Sequence, residues 1–162
     1  MATIIIGVGN PVLSDDSVGL HVVRNLKTML PVAADVNTLE LCAGGIRLME
    51  AMAGYDHAII IDAIVTDKGK PGSVYELDPG NVLQSKNTCS THDGSLAEAL
   101  ELGRMVGLAL PHEIRIWAIE ADDVTTFSET LTASVRGAVP AVIEGVMHRL
   151  ELDRNFSNPR ME

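Results

Sequence analysis

The sequence has 162 residues, of which 46% are hydrophobic, 21% are charged and only 3% are aromatic. This length predicts a single domain with one substantial core, and the composition excludes an intrinsically disordered chain. The formal net charge of -10 argues against nucleic acid or an anionic membrane surface as the main partner. We expect one domain over residues 1–152 and a polar tail over residues 153–162.

The cysteines and the first residues predict a cellular compartment. Cys42 and Cys89 are too few for a disulfide framework and lack the spacing of a C-x-x-C motif. We expect both to be reduced thiols, and Cys42 to be a small packed side chain. The opening MATIIIGVGN has no positively charged leader, and its apolar run is far shorter than a signal peptide or a membrane span. The sequence therefore predicts a cytoplasmic protein without a membrane partner.

Short apolar runs predict strands, and apolar residues at helical spacing predict helices between them. The predicted strands cover residues 3–8, 36–41, 57–65, 73–77 and 113–119. The predicted helices start at Ser17, cover 46–53, start again at Gly94, and cover 131–152 with a bend at Pro140. Ser14, Asp15 and Asp16 precede the first helix, where their oxygens are expected to cap it. This alternation predicts an α/β fold with a mainly parallel sheet between helical layers.

Polar residues at the carboxyl ends of the strands are the candidates for a functional site, because ligands of such sheets bind at that edge. Asp16 follows the first strand, Asp62 lies near the end of the third strand, and His92 lies in the loop before the third predicted helix. His57 and His112 precede strands and so belong to the opposite edge of the sheet. His21 and His148 lie within predicted helices.

Each of the three candidates also has an ordinary structural interpretation. A carboxylate inside an apolar strand is costly to bury unpaired, so Asp62 needs a cation, a metal or hydrogen-bond donors such as neighbouring backbone amides. Asp16 alone is better explained as a helix cap, and His92 alone as a residue that starts a helix. Together, two carboxylates and an imidazole suit a divalent ion such as nickel or zinc and leave coordination positions open. Asp15 is either a substitute for one of these ligands or a residue that supports one.

Two other kinds of site are disfavoured. Gly7-Val8-Gly9 is similar to the start of a dinucleotide-binding motif, but Val12 stands where the third glycine belongs, and the connection to the helix is too long. The sequence has no Gly-x-Ser-x-Gly motif, and Cys42 has no histidine partner in the sequence.

The combination of these residues resembles the hydrogenase maturation endopeptidases over roughly residues 3–150. The residues that carry the resemblance are Gly7-Val8-Gly9-Asn10, Asp15-Asp16, Val18-Gly19, the Ile-Asp-Ala segment at 61–63, and His92. The resemblance implies three α/β/α layers around a twisted, mainly parallel five-stranded sheet. It also implies an aspartyl-type endopeptidase that removes a C-terminal extension from the large-subunit precursor of a nickel-iron hydrogenase after nickel insertion.

The resemblance assigns roles to the three candidates as well. Asp16, Asp62 and His92 match the metal-recognition residues of the family, so catalysis and nickel contact are both expected from them. The nickel is carried by the substrate, and no permanent cofactor is expected. Position 16 is Asp where other members carry Glu, and the turn at 42–45 is Cys-Ala-Gly-Gly where many relatives have an Asp-Gly-Gly-Thr-like pattern. Because of these departures, the resemblance does not identify which hydrogenase is the client.

Several alternatives stay open at this point. A non-catalytic nickel-binding maturation scaffold and a metal-dependent hydrolase of another substrate would both use the same three residues. Nucleophile and base are not assigned separately. The loop at 120–129 is expected to be an acidic surface loop, with contact to the client as the alternative.

Overall fold

The structure is a computed structural model and describes residues 1–31, 34–79 and 95–157. Five strands form one sheet in the order β2-β1-β3-β5-β4. They are Thr3–Val8 (β1), Val36–Leu41 (β2), His57–Ile64 (β3), Val74–Leu77 (β4) and Glu113–Glu120 (β5). All neighbouring strands are parallel except β4, which pairs antiparallel with β5 at one edge. The predicted five-stranded, mainly parallel sheet is confirmed.

Helices cover both faces of this sheet. They are Val18–Met29 (α1), Gly45–Met52 (α2), Leu96–Met105 (α3) and Ala133–Ser157 (α4). One apolar core lies between the sheet and helices α1 and α4, and a second lies between the sheet and helices α2 and α3. This arrangement confirms the three-layer α/β/α prediction. Within the described ranges, no helix is both long enough and apolar enough to cross a membrane.

Helix α4 extends further than the sequence predicts. It starts at Ala133, contains Pro140 and ends at Ser157 instead of Leu152. The backbone of residues 153–157, which we predicted to be part of a polar tail, is therefore helical. The division into a domain and a tail stays a prediction.

The predicted capping of the first helix is wrong. Ser14–Ser17 form a 3-10 turn, and α1 begins after it with Ser17 as its N-cap residue and no side-chain cap. The side chains of Ser14 and Asp15 form hydrogen bonds to the segment after β5 instead, and that of Asp16 accepts one from Asn10 of its own loop, as described below. Helix α3, in contrast, has a reciprocal capping box between Ser95 and Glu98.

The start of α1 lies directly against the sheet because two glycines leave no side chains between them. A Cβ atom at Gly19 would lie 2.2 Å from the carbonyl oxygen of Ile61 and 2.7 Å from that of Val8. A Cβ atom at Gly7 would lie 2.3 Å from the carbonyl oxygen of Gly19. Any other residue would push the helix away from the sheet. The close approach brings the 3-10 turn, with Asp16, to the ends of β1 and β3.

We expect Gly19→Ala to lower the free energy of unfolding by about 3 kcal/mol, because the added methyl group collides with backbone atoms that cannot move aside. Gly137→Ala is the matched control, since a Cβ atom there meets nothing within 4 Å. That variant should be up to about 1 kcal/mol more stable than the wild type. Urea denaturation measures both effects, and an unchanged midpoint for Gly19→Ala would contradict the tight contact.

Candidate active site

Asp16 and Asp62 lie together at the carboxyl edge of the sheet. Asp16 belongs to the 3-10 turn after β1, and Asp62 lies near the end of β3; both side chains are partly buried. The two carboxyl groups are close enough that the charge of Asp16 perturbs the ionisation of Asp62. The structure therefore brings together two of the three predicted site residues. His92 lies outside the described residues, and its role stays a prediction.

One oxygen of each carboxyl group is bound by the backbone. Asp16 Oδ2 accepts a hydrogen bond of 2.8 Å from the backbone N–H of Asn10, and Asp62 Oδ1 accepts one of 2.8 Å from that of Ala63. Within the described part of the chain, the second oxygen of each has no hydrogen-bond donor, and neither residue forms an ion pair. Asn10 was not predicted from the sequence as a site residue, since its contribution comes from the backbone.

Both carboxyl groups resist ionisation. Burial, followed by the negative charge of Asp16, raises the pKa of Asp62 to about 8, although the hydrogen bond from Ala63 opposes both effects. Burial also raises the pKa of Asp16, against the hydrogen bond from Asn10. Asp62 is therefore mostly protonated at neutral pH. Such a group can donate a proton, or it can release one when a cation binds.

The metal site predicted from Asp16, Asp62 and His92 stays a prediction. Among residues 1–31, 34–79 and 95–157, no group of three His, Cys, Asp or Glu side chains lies close enough together to hold a metal ion.

Asp15 has a different role from its neighbour Asp16. Asp15 is fully buried, and its Oδ2 accepts hydrogen bonds from the backbone N–H groups of Asp122 (2.9 Å) and Asp123 (3.0 Å) and from Thr132 Oγ1 (2.8 Å). Its Oδ1 accepts a fourth from the backbone N–H of Thr132 at 2.8 Å. Both oxygens are thus engaged, which argues against a role as a ligand. Asp15 anchors the segment 121–132 that follows β5.

Ser14 fastens the same segment. Its backbone N–H donates to the carbonyl oxygen of Ser128 at 2.8 Å, and its hydroxyl donates to that of Thr130 at 3.1 Å. The backbone N–H of Ser128 donates in turn to the carbonyl oxygen of Val12 at 2.9 Å. Ser14 has a positive φ of 44°, an uncommon conformation that these bonds support. These hydrogen bonds therefore hold segment 121–132 beside the turn that carries Asp16.

Glu120 is a buried acid, so the prediction that it belongs to a surface loop is wrong. It is the last residue of β5 and is 1% exposed. Its Oε1 accepts hydrogen bonds of 2.8 Å from both the backbone N–H and the hydroxyl of Thr66, while Oε2 has no partner among the described residues. A Cβ atom at Gly69 would lie 2.1 Å from the carboxyl carbon. Glu120 thus holds the loop after β3 against β5. In the sequence, its position at the end of an apolar strand was the signal that could have indicated its burial.

The sequence also makes predictions for the two cysteines and His57. Cys42 is exposed, so the prediction of a packed thiol is wrong. It directly follows β2, whose end is joined to β1 by a hydrogen bond from the N–H of Gly9 to the carbonyl oxygen of Leu41. His57 lies at the opposite edge, as predicted, where its Nδ1 is 3.5 Å from Glu113 Oε2. Cys89 lies outside the described residues.

We expect Asp15→Asn to destabilise the protein by about 3 kcal/mol, because the amide replaces an oxygen that accepts from buried donors. Asp122→Asn removes the same charge from an exposed side chain of the anchored segment and should change the stability by less than about 0.5 kcal/mol. Thermal and urea denaturation provide the comparison. Equal stability of the two variants would show that Asp15 does not anchor the segment.

The raised pKa of Asp62 makes stability depend on pH. Because folding raises this pKa from 3.8 to about 8, the folded state holds a proton that the unfolded chain releases. This contribution is complete below the unfolded pKa and is lost as the pH rises through the folded one. Asn cannot ionise, and its oxygen can still accept the bond from Ala63. We therefore expect Asp62→Asn to be more stable than the wild type at about pH 9, by roughly 1–3 kcal/mol after allowance for solvent screening.

The difference should shrink towards zero below about pH 3, where the wild-type carboxyl group is protonated in both states. Denaturation curves across this range test the prediction. Asp35→Asn, an exposed acid at the amino edge of the sheet, is the control. A stability gain for Asp62→Asn that does not vary with pH would contradict it.

Comparison with known proteins identifies the family. Residues 20–149 match the family model described as "HycI: Hydrogenase maturation protease". The Hydrogenase 2 maturation protease of Escherichia coli (strain K12) is 29% identical over 151 residues, which cover 93% of this chain and 91% of that protein. The Hydrogenase expression/formation protein HupD of Rhizobium leguminosarum bv. viciae is 26% identical over 144 residues, which cover 87% of this chain and 70% of that protein.

Solved structures agree with this assignment. The hydrogenase maturating endopeptidase HybD from E. coli superposes with a TM-score of 0.79 at 29% identity and 94% coverage of both chains. The [NiFe] hydrogenase maturation protease HybD from Thermococcus kodakarensis gives a TM-score of 0.72 at 25% identity, with 93% of this chain and 99% of that chain covered. The predicted peptidase is thereby confirmed, and the chain belongs to the hydrogenase maturation protease family.

Proposed function

We propose that this peptidase removes the C-terminal extension of a nickel-iron hydrogenase large-subunit precursor, and that it recognises nickel held by that precursor through Asp16, Asp62 and His92. One observation supports the proposal above all. Two partly buried carboxyl groups lie at one edge of the sheet, where burial raises the pKa of both and the charge of Asp16 further raises that of Asp62; neither has a cation in the described part of the chain. A divalent ion delivered by the substrate has the charge that this pair lacks.

The electrostatics explain how a docked ion would be selected. A cation near the pair stabilises both carboxylates, lowers their pKa values and offsets their mutual repulsion. Asp62 would release its proton in the process, so affinity for a nickel-loaded precursor should rise with pH. A precursor without nickel offers none of this stabilisation. Cleavage would then depend on completed metal insertion.

The catalytic step follows from positioning. Nickel bound to cysteine thiolates of the precursor and to the enzyme would fix the scissile peptide against the carboxyl edge, an effect that can contribute orders of magnitude in rate. The ion can also polarise the scissile carbonyl group or activate a water molecule, with one of the two aspartates as base. Asp16 and Asp62 are both candidates for that base, and the proposal does not separate them.

Membership in a protease family favours this function over a non-catalytic scaffold. A metal-dependent hydrolase of another substrate would carry its own tightly bound metal. Elemental analysis of the purified protein distinguishes this hydrolase from the proposed peptidase, because substrate-borne nickel leaves the resting enzyme substoichiometric in metal. We also propose that the protein is cytoplasmic, as the sequence predicts.

We expect Asp62→Ala and His92→Ala each to slow processing of a nickel-loaded large-subunit precursor by about 100-fold or more, since each removes a proposed ligand. Asp16→Ala should have a similar effect. Incubation of purified precursor with each variant, followed by intact-mass measurement, reads the loss of the C-terminal segment directly.

Two controls make this experiment decisive. Nickel-free precursor should remain uncleaved by the wild type, and Asp35→Ala should process nickel-loaded precursor at the wild-type rate because its side chain lies at the amino edge. Wild-type rates for Asp62→Ala would refute the proposed site. Equal cleavage of nickel-free and nickel-loaded precursor would refute nickel recognition but leave the peptidase intact.

A further inference from the structure

Phe127 is the most exposed large hydrophobic residue among those the structure describes, with 84% of its surface accessible. The whole sequence contains only five aromatic residues, two Phe, two Tyr and one Trp. Single exposed apolar residues are common on protein surfaces and need no explanation by themselves. Three further features distinguish this one.

The first feature is that the backbone on both sides of Phe127 is fixed. Asp123 Oδ1 accepts hydrogen bonds from the backbone N–H groups of Thr125 and Thr126 at 2.9 and 3.0 Å. On the other side, the backbone N–H of Ser128 donates to Val12. Together with the anchor at Asp15, these bonds fix the backbone that presents the exposed aromatic ring. An aromatic side chain on a fixed backbone loses little conformational entropy when a partner covers it.

The second feature is the position next to the candidate active site. Leu13 and Ser128 form a parallel bridge, which places Val12 beside Phe127. Val12 is 42% exposed, and Pro11 is exposed as well. We call Pro11, Val12 and Phe127 the apolar rim. It starts one residue after Asn10, whose backbone N–H binds the carboxyl group of Asp16.

The third feature is the charge around the rim. Asp122 is exposed, and hydrogen bonds from Thr126 and Thr125 lower the pKa of Asp123 to about 2, so that this group is charged at any physiological pH. The formal net charge of the protein is -10. An apolar surface bordered by Lys or Arg side chains would complement the rim, whereas an acidic surface would be repelled.

We propose that the apolar rim is a docking surface for the client polypeptide, and that Phe127 inserts into an apolar surface of the client bordered by basic side chains. The inference rests on the proposed function, because the client must approach the carboxyl edge for its scissile segment to reach Asp16 and Asp62. Aromatic residues are among those that dominate the binding energy of protein interfaces.

The test compares Phe127→Ala with Met105→Ala. Met105 is 79% exposed and ends helix α3, from which the chain runs to the start of β5 at the amino edge of the sheet. Both variants should fold as stably as the wild type, because each removes an exposed side chain. Phe127→Leu serves as the conservative variant. Binding of the purified large-subunit precursor is measured by biolayer interferometry, and processing is measured separately as KM and kcat by intact mass.

Phe127→Ala should weaken binding and raise KM by about tenfold or more, with kcat changed by less than about twofold. Met105→Ala should match the wild type, and Phe127→Leu should restore most of the affinity. At low salt, Asp122→Lys should weaken binding about threefold; an unchanged affinity would overturn the basic border.

The remaining outcomes separate this proposal from the proposed function. Wild-type binding and KM for Phe127→Ala would overturn the docking surface while leaving the peptidase function intact. Binding that depends on Phe127 without any cleavage by the wild type would support the docking surface and overturn the proposed function. A wild type that neither binds nor cleaves the precursor would overturn both.

Discussion

The backbone-to-backbone contact between the start of α1 and the ends of β1 and β3 determines the geometry of the whole carboxyl edge. Gly19 makes the contact possible, because any side chain there would collide with the carbonyl oxygens of Ile61 and Val8. The 3-10 turn before the helix is thereby held over the same strand that carries Asp62. Without this approach Asp16 and Asp62 would lie farther apart by about the width of a side chain. Their electrostatic interaction would then be weaker, because it falls with distance. The close packing at Gly19 thus contributes to the raised pKa of Asp62.

Two adjacent acids in that turn show how the surroundings decide the role of a side chain. Asp15 is buried more deeply than Asp16, yet four donors from residues 122–132 satisfy it. Asp16 has a single donor, and Asp62 likewise has one, while each lies partly out of water. Burial with donors produces an anchor, and burial without enough of them produces raised pKa values. The second situation is costly for stability and is typical of sites that bind or react.

The sequence was sufficient for the features that depend on local pattern. Apolar runs, and alternation at residues 73–77, located the five strands of the sheet, and the rule that ligands bind at carboxyl ends placed Asp16 and Asp62 at one edge and His57 at the other. It was insufficient where the partner lies far along the chain. The four bonds of Asp15 join residues 107 to 117 positions apart, so its apparent capping role was wrong. Glu120 was misplaced for the same reason, since its donor Thr66 belongs to another loop. Cys42 was wrongly expected to be packed, because a small apolar side chain after a strand gives no signal of its exposure.

The anchored segment 121–132 connects stability with specificity. Asp15 and Ser14 attach it to the turn that carries Asp16, so the position of the segment and the position of the turn depend on each other. A flexible loop would present its exposed aromatic side chain at a high entropic cost on binding, whereas this one is already ordered. The same hydrogen bonds therefore stabilise the fold, position one carboxyl group of the candidate site and hold Phe127 where an approaching chain meets it first. Loss of Asp15 should consequently affect docking as well as stability, whereas loss of Phe127 should affect docking alone.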